Sequence, residues 1–151
     1  VNDERHIVDG YALVESHEIG KNPTVTFNLS PTFEGQLKSA FRTFTKDSER
    51  SLLIEDKIKA NETTKLVTWQ FITQAEVEIT AEGAILKQDG QKLHLKKLTH
   101  TDIPFTIVSL DPPPHKLDKQ MGNLKRIELR IPVFGHEDDG TINIRVQLTG
   151  K

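Results

Sequence analysis

Cysteine is absent from the sequence, which excludes disulfides, thiolate-bound zinc and a cysteine nucleophile. Aromatic residues are scarce: one Trp, one Tyr and seven Phe, 6% of the chain. That is little material for a face of exposed rings on which sugars could stack. An excess of either charge is also missing, with 20 basic residues against 22 acidic ones and a formal net charge of −2. Affinity for nucleic acid rests on a basic footprint that neutralises phosphates. The densest basic stretch, Lys92 to Lys97 (KLHLKK), fits the solvated face of a strand equally well. No apolar run approaches the roughly 20 residues that a membrane-spanning helix needs. A P-loop, a dinucleotide fingerprint, a Gly-x-Ser-x-Gly elbow and a zincin helix are all lacking. The expectation is therefore no nucleic-acid partner, no membrane partner and no cofactor.

A chain of 151 residues is a normal size for one domain. At that length it buries roughly 70% of the surface its unfolded form exposes, so it needs neither metal nor disulfide to hold together. The opening, VNDERHIVDG, carries no signal peptide and reads as the start of a segment cut from a longer protein. An export signal on the parent would lie outside it.

What the chain does have is a period of two. In Thr141 to Thr149, Ile142, Ile144, Val146 and Leu148 fall on one face, with Asn143, Arg145 and Gln147 on the other. One face buried and one wet is the pattern of an antiparallel sheet. LKRIELRIPV repeats it with Ile127, Leu129, Ile131 and Val133. The polar stretch 135–140 (GHEDDG) between them suggests a hairpin with a longer loop. A second hairpin is expected where Ala84–Lys87 and Gln91–Leu95 flank Gln88-Asp89-Gly90, because Gly tolerates the positive φ of a tight turn. Lys38–Asp47 and Ser51–Ala60 read as strands joined by DSER. Lys65–Gln74 is apolar on both faces and reads as a central strand covered twice. Glu76–Thr80, Pro104–Leu110, Ile7–Val14 and Thr24–Leu29 complete the set of extended segments. Phe33–Phe41 is the best helix candidate, weakened by Gly35. About nine to ten strands at this spacing predict an all-β fold, an antiparallel β-sandwich. DPPPHKLDKQMGN, within 111–123, reads as a long loop.

Chemistry is sparse along the chain. The six histidines, His6, His17, His94, His100, His115 and His136, lack the close spacings of a local metal site. His136-Glu137-Asp138-Asp139 offers oxygen ligands that calcium favours, yet without the spacing of an EF-hand loop; an acidic turn is the favoured reading. No catalytic, metal or cofactor-binding residue is assigned. The notable acid is Asp56, which by alternation shares a face with Leu52, Ile54 and Ile58. A carboxylate on an apolar face must be paired or its burial is costly. Arg42, in AFRTF, is the expected partner, making Arg42–Asp56 a structural ion pair rather than a catalytic acid. Trp69 lies in the most apolar strand and is expected in the core, while Tyr11 is placed at a turn or rim. Asn28-Leu29-Ser30 and Asn61-Glu62-Thr63 match the N-glycosylation pattern, which matters only in a eukaryotic secretory pathway.

The ordered string says more than any short motif. From Val25 the chain runs NLSPTFEG, then Arg42, then LLIEDKI, then VTWQFITQAEVEI, then the hairpin AILKQDGQKLHLK, then NLKRIEL and finally TINIRVQLTGK. This succession resembles the C-terminal β-sandwich region of heparinase II/III-like polysaccharide lyases, over residues 24–149. Such lyases cleave acidic polysaccharides by β-elimination: a base removes the proton beside a uronate carboxylate whose charge neighbouring groups neutralise. In the family the tyrosine, histidine and asparagine come from a helical toroid domain and the earlier part of the β region, upstream of a segment like this one. His6 in ERHIVDG is too close to Asp9 for the family's histidine-then-Asp-Gly element, so neither His6 nor Tyr11 inherits a catalytic role. The resemblance implies that residues 1–151 form one β-sandwich domain, the C-terminal fragment of a longer lyase. It implies an accessory, non-catalytic role beside a helical catalytic domain, an acidic polysaccharide as substrate of the parent, and a periplasmic or secreted location. A carbohydrate-binding module, or a structural or adhesion sandwich, is the alternative.

Overall fold

The computed structural model describes residues 1–7, 9–114, 116, 118–134 and 140–150. Eleven strands occur in them: β1 (Leu13–Glu18), β2 (Thr24–Asn28), β3 (Leu37–Ser48), β4 (Ser51–Ala60), β5 (Leu66–Thr73), β6 (Glu76–Ile79), β7 (Gly83–Gln88), β8 (Gln91–Lys97), β9 (Thr106–Ser109), β10 (Lys125–Pro132) and β11 (Thr141–Gly150). They form an eight-stranded sheet, β1-β2-β3-β4-β11-β8-β7-β6, and a three-stranded sheet, β5-β10-β9. Every neighbouring pair is antiparallel. The fold is an antiparallel all-β sandwich with sheets of unequal width.

Alternation builds the core. The register sets Ala40, Arg42 and Phe44 of β3 beside Ile58, Asp56 and Ile54 of β4, and these beside Ile142, Ile144 and Val146 of β11. Leu93, Leu95 and Lys97 of β8 continue the row, since Leu95 faces Leu148 and Lys97 faces Val146. From the small sheet, Val67 and Trp69 of β5 and Ile127, Leu129 and Ile131 of β10 are buried against this layer. Ile127, Leu129 and Val146 are wholly inaccessible. Each such side chain contributes about 1.5–3 kcal/mol on leaving water.

Two hairpins form where turn chemistry allows. Gln88 pairs with Gln91, so Asp89-Gly90 is a two-residue loop. Both residues have positive φ, 50° and 75°, the conformation of a type I′ turn that matches the twist of the flanking strands. Ser48 pairs with Ser51 across Glu49-Arg50, following a bulge at Lys46/Ser48.

Several expectations need correction. LKRIELRIPV and TINIRVQLT do not pair with each other: β10 lies in the small sheet, β11 in the large one. The chain between them crosses from sheet to sheet, and residues 135–139, with the His136–Asp139 cluster, lie outside the described residues, as does His115. Apolar alternation identifies a buried face but not which partner pairs with it. β5 is not central: it stands at an edge of the small sheet. Its Trp69 face is buried while Ile72 opposite remains half exposed. The N-terminal strand covers Leu13–Glu18 rather than 7–14. The helix expected near 33–41 reduces to a 3-10 turn at Ser30–Phe33, after which β3 begins at Leu37. Lys97, the last residue of KLHLKK, is not on a solvated face. It is buried among apolar residues, donates to the carbonyls of Thr101 and Ile103, and sits 5.7 Å from the Phe105 ring centre.

One glycine is dictated by packing. A Cβ on Gly83 would lie 1.9 Å from the carbonyl oxygen of Leu95 on the paired strand. Gly20, by contrast, has open space around it. Gly83→Ala is expected to cost about 1–3 kcal/mol, because backbone atoms must move to admit the methyl group. Gly20→Ala should stay within about 0.5 kcal/mol of the parent. Urea denaturation of the two variants checks the contrast.

Candidate functional site

The small sheet is narrower than the large one, and the mismatch opens a cleft where β5 passes over β3 and β4. The cleft encloses about 130 Å³. Its floor is Ala40, Arg42, Asp56, Ile58 and Ile144, its roof Val67 and Trp69, and its end Val1, Leu29, Phe33 and Leu37. Side chains from both sheets and from the N-terminal segment therefore meet there.

Arg42 and Asp56 stand directly opposite each other on β3 and β4. Nε of Arg42 donates to Oδ1 of Asp56 at 2.6 Å, and Nη2 donates to Oδ2 at 2.7 Å. This fork-to-carboxylate geometry satisfies both oxygens at once. The Asp56 side chain is only 5% exposed and that of Arg42 29%. Taking two charges out of water costs several kcal/mol per ion, which mutual attraction offsets only if geometry is good. What the pair does chemically is hold two opposed charges in register. Trp69, also lining the cleft, is stacked between Phe71 at 6.2 Å and Phe105 at 5.9 Å. Its ring is 3% exposed, so it offers no platform to a sugar. Its Nε1 finds no acceptor among the described residues.

The described residues of the N-terminal segment, 1–7 and 9–11, form a strap across the end of the cleft. Asn2 N donates to Leu66 O at 2.9 Å, and Asn2 Oδ1 accepts from Lys65 N and Leu66 N. Asp3 makes a two-pronged pair with Arg130 at 2.7 and 2.8 Å. Gln36 donates to Arg5 O, Ile7 N donates to Thr32 O, and Thr32 donates its hydroxyl to Tyr11 O. The Arg130 hydrogen bonds hold the Asp3 carboxyl below its ordinary range, against a smaller opposing desolvation.

The remaining polar residues scatter. His6 lies at the strap, its ring edge-on to Phe33 at 6.4 Å. His17 is exposed on β1, His94 is half-buried on β8, and His100 sits in the turn after β8. Among the described residues no three His, Asp or Glu side chains group as a metal site. Tyr11 is 59% exposed. Asn28 Oδ1 accepts from Ser30 N, and Asn61 Oδ1 accepts from Thr63 N, so both amides organise turns. Glu128, on β10, is buried on the outer face of the small sheet. Arg126 Nε lies 2.6 Å from its Oε1, an ionic contact rather than an aligned hydrogen bond, and Arg130 Nη1 lies 3.6 Å from its Oε2. Neither Glu128 nor Lys97 stands out in a reading of the apolar positions alone. The charge alternation Arg126-x-Glu128-x-Arg130 was the available signal for the first, since residues two apart share a face.

The sequence matches no protein-family model and no curated protein sequence. Among solved structures, the fold is similar to part of a heparan sulfate lyase HepC mutant from Pedobacter heparinus, with a TM-score of 0.62 and 16% identity. The match covers 92% of this chain and 21% of that one. The chain thus spans about a fifth of that protein's length, and the likeness is one of fold.

Two outcomes follow from this geometry. Removing one member of the buried pair, by Arg42→Ala or Asp56→Ala, is expected to cost about 3–5 kcal/mol because an uncompensated charge stays behind. Arg42→Met combined with Asp56→Leu should cost far less than the sum, as a double-mutant cycle in urea would show. The strap should also respond to acid. A carboxyl held below its unfolded value contributes stability above that value and loses it as pH falls through the folded one. Protection of the Lys65 and Leu66 amides, measured relative to intrinsic exchange, should therefore fall below the ordinary aspartate range while staying unchanged near neutrality. Asp3→Asn should remove that component of the acid dependence.

Proposed function

We propose that the chain is an accessory β-sandwich domain of a polysaccharide lyase, the C-terminal part of a longer protein that degrades an acidic, uronate-containing polysaccharide by β-elimination. The observation that carries this reading is a fold likeness running through 92% of this chain against 21% of a heparan sulfate lyase. Domain-scale likeness of that kind fits a module of a larger enzyme. On this reading a helical catalytic domain of the same protein supplies the reaction centre. The sandwich packs against it and shapes one wall of the sugar cleft, since ligand sites commonly form between domains. The parent works in the periplasm or outside the cell, where its polymeric substrate is met. The interior of the sandwich supports a packing role. Arg42 and Asp56 neutralise each other, and Trp69 is stacked away in the core.

β-Elimination leaves an unsaturated uronate that absorbs in the ultraviolet, which gives a direct assay. The purified 151-residue chain is expected to fold and to leave heparan sulfate intact. Turnover by this chain alone would overturn the accessory role. Deleting the segment from its parent enzyme should lower lyase activity or solubility. A well-folded truncation with full activity would contradict the proposed wall.

A further inference from the structure

The two sheets expose four edge strands, β1, β6, β5 and β9. Exposed edges are templates for pairing, and proteins blunt them with charges, bulges or brevity. β1 carries Glu15 and Glu18 and a bulge between Val14 and Ser16. β6 has four residues, two of them glutamates, with Glu78 bound to Lys87. β9 also has only four residues. β5 has none of these devices. It is eight residues long, LVTWQFIT, without charge or proline, and pairs with β10 in unbroken register from Leu66 to Thr73.

The strap already occupies the first rung of that edge. Leu66 gives its carbonyl to Asn2 N and its N–H to Asn2 Oδ1, so both its backbone groups point away from β10. The carbonyl of its neighbour Lys65 points the other way, accepting from Val133 N, while the Lys65 N–H, just outside the strand, turns to Asn2 Oδ1. Backbone groups in an antiparallel ladder alternate in direction with each residue. Thr68, Gln70 and Ile72 therefore present N–H and C=O to the same side as Leu66, and no partner for them occurs among the described residues. Thr68 and Trp69 line the cleft together with Ala40 and Arg42 of β3, and the face that carries Ala40 and Arg42 continues along β3 to Phe44 and across to β2. Val25, Phe27 and Phe44 share it, being paired as Val25 with Phe44 and Phe27 with Arg42. Phe27 and Phe44 meet edge to face at 6.1 Å, and all three side chains are only partly buried.

We propose that the free edge of β5 is a strand-addition site, taking an extended polypeptide segment of alternating apolar and polar residues. Such a segment lies about 4.8 Å from β5 and continues the rung that Asn2 begins. It pairs its backbone with Thr68, Gln70 and Ile72 and sets its apolar side chains on Val25, Phe27 and Phe44. A helix bonds its own backbone internally and leaves this edge unsatisfied, whereas added strands gain affinity from main-chain bonds and selectivity from alternate side chains. The inference stands on the edge geometry and holds whether or not the domain belongs to a lyase.

The test uses the 151-residue chain with a synthetic octapeptide of alternating Val and Thr. Hydrogen exchange and amide chemical shifts are read residue by residue. The free chain should exchange quickly at Thr68, Gln70 and Ile72 and slowly at Val67, Trp69 and Phe71. The peptide should give saturable shifts, and slowed exchange, at the fast set. N-methylating alternate peptide amides on the pairing side should weaken binding at least tenfold. Gln70→Pro, which removes a donor from the free edge only, should do the same. The methylated peptide keeps the test valid if that variant does not fold. Equal protection of both sets in the free chain would overturn the proposal. So would shifts confined to β1 or β6, or no saturation at all. Protection that grows with protein concentration would overturn it in favour of a second copy of the chain.

Discussion

An apolar sheet face has to be covered, and here three strands cover eight. Most of what is distinctive in the molecule follows from that mismatch. Where the cover is complete, around β11 and β10, the interior is dry and aliphatic, with Ile144, Val146, Ile127 and Leu129 almost or wholly sealed. Where it stops, polar groups enter the inner face: Arg42 and Asp56 on one flank and Lys97 on the other. Connections then act as caps. The strap closes the end beside β5, and the segment after β8 folds over Lys97, bringing Phe105 onto Trp69. The row Phe71–Trp69–Phe105–Lys97 links the small sheet to the rim of the large one.

The buried polar groups carry two different solutions to one problem. A charge in a dry place needs partners that replace its water. Asp56 receives both prongs of one guanidinium, which fixes the relative register of β3 and β4 as well as neutralising the charge. Lys97 has no carboxylate partner among the described residues and relies on two carbonyls and a ring face. The first arrangement ties strand to strand, the second ties a loop to a strand. Glu128 repeats the first theme on the outer face, held between Arg126 and Arg130, with Asp3 extending the network to the strap. These are devices that specify where segments lie. They complement a functional reading in which the domain presents surfaces to a companion rather than a reaction centre to a substrate.

Much was legible in the chain. Alternation is a local property, so Ile142 to Leu148 and Ile127 to Ile131 announced buried faces, and Asp89-Gly90 announced its turn, because side-chain direction and positive φ depend on adjacent residues alone. The placement of Asp56 among Leu52, Ile54 and Ile58 likewise called for a cation, and Arg42 stood in the preceding strand. What alternation cannot carry is the identity of a strand's neighbour. β10 and β11 are consecutive and equally apolar, yet they belong to opposite sheets. β5, apolar on both sides, stands at an edge. The same limit hid Lys97, whose burial comes from a loop folding back over it, and the cleft, whose walls are more than a hundred residues apart between Val1 and Ile144. The residues therefore determined, by themselves, that this is a β protein with two-faced strands, tight turns and one internal ion pair. Only the tertiary structure decided which strands meet, which edge stays open and where the cleft lies, because pairing is settled by contacts between segments far apart in the chain competing for the same apolar cover.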